Sequence, residues 1–458
     1  MSSRLRQTLM LSLEDEVTPE VPVVETGADS LESELAGVIA ADQEVVDSDQ
    51  AVEDLTDVQA TLESLAITVE QSLADGGLTP REAALVEQVY QASAGRVGLK
   101  SKVPSMESFG GSSDRERATR VTLEGFKETV QRIWQAIINV LRKWWVSVDK
   151  FFFRFFNAAT KLASRAQALI KEATDSKGEM NEGAKLKLSG LHSELAGGNA
   201  VTAAGELKTV TTDIFDAYAK KMEGFGESCA NFLKGVEVSS EEAFKGSLSK
   251  LRELKYPVPA STPEKGNASE YGVAGKHEVN VSKPLPGGKV LAVIYPAAVG
   301  YEGEAGARDF LNALAACKTV MTTAKGHEEG KEAEHAPLSK ENIIAIAKDV
   351  HDAALAVAIY QRGRNGVKKV RDALQSAGDE YSKKESKLEG ESASLAASLP
   401  KLVNAAGKEV DGAQRVLGGY VVSTGAALVQ LGEKSIKEHG SKKAAPAAAA
   451  AAPAAAAA

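Results

Sequence analysis

The chain reads as mainly α: a multi-helix elongated body with one small β-hairpin, a flexible acidic helical segment on its N-terminal side and a disordered Ala/Pro tail. Three observations predict this. Apolar residues recur at helical spacing through most of the 458 residues. Five prolines between Pro257 and Pro286 break that pattern around two short β-rich runs, and the ending APAAAAAAPAAAAA has no side chain able to bury much surface. The expected units are 1–107, an acidic helical segment with its linker; 108–256, a helical domain; 257–300, the Pro/Gly-rich hairpin; 301–443, a second helical region; and 444–458, the tail.

Charge divides the chain where composition averages it. The formal net charge is −9, but residues 1–107 hold 21 acidic against 6 basic residues, a net of −15, and the remainder holds 42 against 48, a net of +6. Such asymmetry points to different partners for the two parts. Cys229 and Cys317 have no CxxC neighbour, which excludes a thiolate zinc cluster and a disulfide-built scaffold and suits a reducing compartment. With no run of eighteen uncharged apolar residues, neither a membrane span nor a secretory signal is expected.

In the acidic part, Leu31, Val38, Val45 and Val52 recur every seven residues, and Leu55, Leu62 and Val69 continue the pattern three places on. This predicts one long helix, loosely paired because Glu34, Ala41 and Ser48 make a poor seam. Gly76-Gly77 ends it and Thr79-Pro80 opens a second helix to about Ser93, on which the first can fold back as a hairpin. Residues 94–118 read as a linker. Helical spacing resumes over roughly 120–250, 303–325, 338–376 and 380–436, and HEVNV (277–281) and KVLAVIY (289–295) flank a Pro-Gly-Gly turn as a hairpin.

The strongest local signal is an aromatic, cationic helix. From Leu123, the residues Phe126, Val130, Ile133, Ile137, Leu141, Trp144, Val148, Phe151 and Phe155 form a continuous stripe, which Trp134, Ile138, Trp145, Phe152 and Phe156 widen. Nine of the chain's 24 aromatics lie between Phe126 and Phe156, and 121–156 holds six bases against three acids. Three readings follow: a central core helix, since each ring buries about 150–250 Å²; a membrane- or partner-facing helix presenting Phe126, Trp134, Trp144, Trp145, Phe152 and Phe156; or a weak, salt-sensitive contact with nucleic acid.

Catalytic signatures are absent: no GxxxxGK[ST], GxGxxG after a strand, HExxH or GxSxG occurs. No enzyme activity, metal or cofactor is therefore expected. His327, Glu328, Glu329, Glu332, Glu334 and His335 sit in a polar stretch that reads as a solvated loop rather than a metal site. His351 reads as a partly buried structural histidine, the two cysteines as small core side chains, and His192, His277 and His439 show no catalytic spacing.

Processing is the exception. Ser105-Met106-Glu107 lies between Pro104 and Gly110-Gly111, where a protease can bind an extended backbone and read a small residue and a carboxylate. Small-x-Glu recurs at Ser12, Ser30, Ser240 and Ser339, but only the copy at 105–107 coincides with the charge boundary.

The stretches PSMESFGGSS and LEGFKETVQRIWQAIINVLRKWWVSVDKFFFRFF, with the opening LRQTLMLSLEDEV and the acidic helix, resemble the internal head proteins of large tailed bacteriophages, especially giant myoviruses. The resemblance covers roughly the first 160 residues and extends beyond them only as a general pattern of helices around one hairpin. It implies a virion protein of the head interior, made in the host cytoplasm, whose acidic propeptide the phage maturation protease removes. Ser105 and Glu107 would be the specificity residues, with the cut between Glu107 and Ser108, and Glu14 and Glu32 mark further possible trimming points. Implied partners are that protease, capsid or inner-head proteins, packaged DNA by weak non-specific contact, and a membrane on ejection. Other readings are an uncleaved coiled-coil assembly scaffold and a membrane-active ejected protein using the 123–156 helix.

Overall fold

The apolar stripe that begins at Leu123 needs a continuous backbone to carry it, and the helix that supplies one is far longer than the stripe. The computed structural model describes residues 31–439 apart from 97–111, 179–182, 273–275, 298–300, 302, 329, 385–386 and 389, and it is 75% helical. Its helices are α1 (Leu31–Ala74), α2 (Pro80–Arg96), α3 (Ser112–Asp175), α4 (Gly190–Gly197), α5 (Ala200–Thr212), α6 (Ala219–Gly235), α7 (Glu241–Leu251), α8 (Gly303–Ala315), α9 (Lys340–Gly363), α10 (Asn365–Ser382), α11 (Gly390–Ser398), α12 (Lys401–Glu409) and α13 (Gly412–Glu438). At 64 residues, α3 is about 96 Å long.

Local chemistry explains the first boundaries. α1 stops at Gly76 and Gly77, both at positive φ, where a side chain would be strained. A Cβ on Gly77 would also lie 2.8 Å from the Arg115 carbonyl carbon. α2 opens with a capping box: Glu82 accepts from the Thr79 amide at 2.8 Å and donates its own amide to Thr79 Oγ1 at 3.3 Å, with Pro80 at the first helical position. The linker expected over 94–118 is shorter than read. α2 continues to Arg96 and α3 already begins at Ser112, where Asp114 complements the helix dipole and Arg115 donates to the carbonyls of Gly77 and Leu78.

Three helices lie along α3. α1 runs antiparallel to it, with Glu34 beside Lys161 at one end and Gly77 against Arg115 at the other. The long contact of α1 is thus with α3, and the fold-back onto α2 is confined to the turn. α9 is also antiparallel, Tyr360 packing on Phe152 and Phe156. α13 is parallel: Gly418 faces Phe151 and Phe155, Gly425 faces Leu162, and Gly432 faces Leu169. Both series advance by seven residues, so each large side chain meets bare backbone one heptad on. A π-helical turn, Asp213–Tyr218, joins α5 to α6 and brings Phe215 onto Phe155 and Tyr360. Its Ile214 carbonyl accepts from the buried Gln414 side chain at 2.7 Å, which satisfies a group the widened turn exposes.

The predicted hairpin is present as β3 (His277–Val281) against β4 (Lys289–Pro296). It forms the centre of a four-stranded antiparallel sheet with β2 (Glu264–Gly266) and β5 (Lys318–Thr323) at its edges. β4 is buried on both faces: Leu291 and Val293 join the main core, while Ala292 and Ile294 meet Val279 in a second, smaller one. That explains its unbroken apolar run. The helical reading of 303–325 fails after Ala315, because Lys318–Thr323 is rich in Thr and Val and pairs with β4. Within the 120–250 stretch, β1 (Leu186–Leu188) pairs antiparallel with β6 (Ala333–His335).

The glycine series yields a stability test. A Cβ at Gly425 would lie 2.7 Å from a Leu162 methyl, whereas one at Gly419 meets nothing within 4 Å. Thermal and denaturant unfolding should show Gly425→Val destabilised by about 1–3 kcal/mol and Gly419→Ala stabilised by up to ~1 kcal/mol. Equal effects at the two sites would contradict the register.

Candidate functional site

The feature with most chemistry is the seat that α1 occupies. Its heptad residues Leu31, Val38, Val45, Val52, Leu55, Leu62 and Val69 are all buried in the same core as the α3 stripe. Carboxylates flanking that seam reach cations on both sides. Glu34 pairs with Lys161 of α3 at 2.9 Å, Asp42 with Arg415 of α13 at 2.7 Å, and Asp49 with Lys408 of α12 at 2.5 Å. Further along, Asn404 donates to Thr56 Oγ1 at 3.5 Å. Beyond the turn, the Leu78 amide donates to Thr119 Oγ1 at 2.9 Å, and Tyr90 of α2 stacks on Phe126 at 4.7 Å while its hydroxyl meets Thr129.

The aromatic residues expected to face a membrane or partner are turned inward. Phe126, Trp144, Trp145, Phe152 and Phe156 are each at most 9% exposed, and the Trp134 side chain lies outside the described residues. Their neighbours belong to two different parts of the chain. Phe126 is covered by Tyr90 of the acidic segment. Trp145 lies against Gly407 and beneath Arg371, and Phe152 lies beneath Arg364 and beside Tyr360, which also covers Phe156. Helical periodicity identifies a face that must be covered; the residues that cover Trp145, Phe152 and Phe156 lie more than two hundred positions away in sequence. The residues of the expected cut, Ser105, Met106, Glu107 and Ser108, lie outside the described residues, between the end of α2 and the start of α3.

Two charge clusters, each with a buried carboxylate at its centre, brace the seat. Asp411, 1% exposed, accepts from Arg364 and Arg371 at 2.9 and 2.8 Å, and Asp149 of α3 accepts from the same pair at 2.8 and 3.1 Å. Both guanidinium groups also lie over aromatic rings, Arg364 at 4.0 Å from Phe152. No local sequence signal marks this quartet. The second cluster centres on Glu409, which accepts from Tyr256 at 2.8 Å. Burial pushes its carboxyl up to about 7; the Tyr256 bond, Arg415 and Lys408 oppose that shift, and Asp49 of α1 adds to it. Cys229 and Cys317 are buried free thiols, both raised by desolvation.

The histidine-rich stretch is more ordered than a solvated loop. Strand β6 ends at His335, whose Nε2 is 2.9 Å from Ser193 Oγ, and His327 stands 3.4 Å from Glu194. Ser193 gives its only proton to the Lys331 carbonyl, so in this arrangement His335 donates to the serine and does not act as its base. An open cleft nearby is lined by Glu194, Asn199, Thr202, Glu206 and Pro284–Gly287, with no histidine, cysteine or basic side chain. His351 is half-buried and 3.7 Å from Asp352. Among the described residues no three His, Cys, Asp or Glu groups are placed to hold a metal ion, and no helix is long and apolar enough to cross a membrane.

A family model described as phiKZ-like phage internal head proteins matches residues 30–434. No curated protein and no solved structure matches the chain.

Glu409 generates a pH test. Its folded-state value lies above the ordinary 4.5, so its contribution to stability is present on the acid side and is lost as pH rises from about 4.5 through 7. Glu409→Gln keeps the Tyr256 bond without the charge. Relative to the parent, the variant should gain stability across that window, up to ~3 kcal/mol at pH 8. Parallel pH profiles of the two proteins in denaturant melts would contradict the assignment. Asp411→Ala, which removes the buried one of the two carboxylates that Arg364 and Arg371 share and leaves them only the exposed Asp149, should cost up to about 3–5 kcal/mol in the same assay.

Proposed function

The chain belongs to the phiKZ-like phage internal head proteins, and from that premise we propose that it is a structural, non-enzymatic protein of the head interior, matured by one cut after Glu107. The family places the protein in the virion head. The finer reading is that residues 1–107 are an assembly propeptide, attached while the chain is in the host cytoplasm, and that the body from Ser108 is packaged beside DNA.

The observation that carries it is a coincidence of boundaries. The change from a net of −15 to a net of +6 falls at Ser105-Met106-Glu107, in the interval between the last residue of α2 and the first of α3. A protease working there separates the two charge classes and cuts neither α2 nor α3. The acidic carboxylates seated on Lys161, Arg415 and Lys408 support a masking role, since they occupy cations that phosphate would otherwise attract. With so small an excess of bases, association with DNA rests on confinement and local concentration and weakens steeply with salt. The phage maturation protease, neighbouring capsid or inner-head proteins and packaged DNA are the proposed partners. Membrane contact on ejection is not part of the proposal, because Trp145, Phe152 and Phe156 are covered by residues 360–407 of the body itself.

A second reading has one observation in its favour. α1 shares its core with α3, as it would in a permanent scaffold whose acidic helix is never removed. N-terminal sequencing and intact mass of the protein from purified particles separate the two. The proposal expects a chain beginning at Ser108, and retention of the N-terminal segment in a Glu107→Ala phage. A chain in particles that still carries residues 1–107 in covalent linkage would overturn it in favour of the scaffold.

A further inference from the structure

We infer that the cut does not by itself free the acidic segment: residues 31–96 remain seated on the body as a non-covalent subunit, in a groove between α3 and the helices α11, α12 and α13 that is a binding site for an acidic amphipathic helix. The inference rests on the proposed function for the position of the cut, but not for the existence of the groove.

Hydrolysis of the Glu107–Ser108 peptide bond adds one water across it, leaving a carboxylate on Glu107 and an ammonium on Ser108. Both new ends lie in the 97–111 interval, eleven residues past the end of α2 and four before the start of α3. Every described contact between the segment and the body lies elsewhere. The apolar seam runs from Leu31 to Val69, the ion pairs use Glu34, Asp42 and Asp49, and the turn is held by Leu78 on Thr119 and Tyr90 on Phe126. A single cut in the linker therefore removes none of them and costs only the tether.

The groove specifies its occupant. Its floor is apolar and needs a residue every three or four positions along about 66 Å of helix, the length of α1. Its cations stand on both flanks of that floor, Lys161 on one side and Arg415 and Lys408 on the other. A nucleic acid would satisfy the cations and leave the floor wet; a neutral helix would do the reverse. Residues 31–74 satisfy both. Separation of the acidic charge from the basic body is then a second event after cleavage, requiring cuts within α1 or displacement by a competing acidic helix.

The test uses the full chain with Ser105–Ser108 replaced by the recognition sequence of a site-specific protease, cut to completion and examined by size exclusion and native mass spectrometry at micromolar protein. The expected result is one folded species holding both pieces at a one-to-one ratio, retained in 1 M salt because the seam is apolar. Val45→Asp with Val52→Asp should raise the fraction of free body at least tenfold after the same cut, and Arg415→Glu with Lys408→Glu should weaken retention in a salt-dependent manner. A body that elutes alone with unchanged helicity, the fragment separated without denaturant, would overturn the inference. Because the cut is engineered, the outcome is independent of whether the phage protease acts at Glu107, which the particle-derived N-terminus reports separately. In particles, a chain starting at Ser108 accompanied by peptides from 31–96 fits both readings; the same chain without them in newly cut particles contradicts only this one.

Discussion

A helix of 64 residues carries an apolar stripe that no single neighbour in the chain is long enough to cover, and the arrangement of the other helices answers that constraint. α1, at 44 residues, lies along it from Lys161 back to Arg115. α13 and α9 cover the aromatic and C-terminal stretches from Phe151 to Leu169. Close approach is obtained from glycine on one side and from rings on the other. Where Gly418, Gly425 and Gly432 present bare backbone, phenylalanine and leucine side chains sit directly on it, at the helix-propensity cost that glycine carries. Removing any one cover would leave a strip of the stripe in water, which ties the acidic segment energetically to the body.

Charge is organised by the same geometry. The body's excess of bases over acids is small, and several of its cations are already committed. Arg364 and Arg371 are locked between the buried Asp411 and the exposed Asp149, and Lys161, Arg415 and Lys408 hold carboxylates of α1. The charge that the surface presents thus depends on which carboxylates remain seated, not on composition alone. Glu409 belongs with the second of these sets, since Asp49 of α1 and the cations Arg415 and Lys408 act on a carboxyl that burial pushes up to about 7.

Much of this was legible in the sequence wherever the signal is local. The heptads of 31–69, the Gly76-Gly77 stop, the Thr79-Pro80 start and the 277–295 hairpin each depend on neighbours a few residues apart, and each is present. The resemblance to phage internal head proteins agrees with the family match. What was not legible is set by distant partners. Periodicity shows that Trp145 and Phe152 share a broad face but not that Gly407 and Tyr360 cover it. The quartet joins residues 149, 364, 371 and 411, which no spacing connects. Lys318–Thr323 follows a helix without a proline or glycine between them, so the change to a strand shows only in its threonines and valine. The glycines at 418, 425 and 432 carry a seven-residue signal, a regular pattern that reading for apolar residues passes over.

The central claim is that the acidic helix is part of the folded core and not an appendage to it. Hydrogen–deuterium exchange on the uncut chain tests this most directly, because amide protection reports how deeply each helix is tied to global stability. Amides of 38–69 should exchange as slowly as those of 141–169 in α3 and should be released together with them as denaturant is added. If residues 38–69 exchange orders of magnitude faster than α3 under native conditions, the segment is only loosely attached and the account of the seat is wrong.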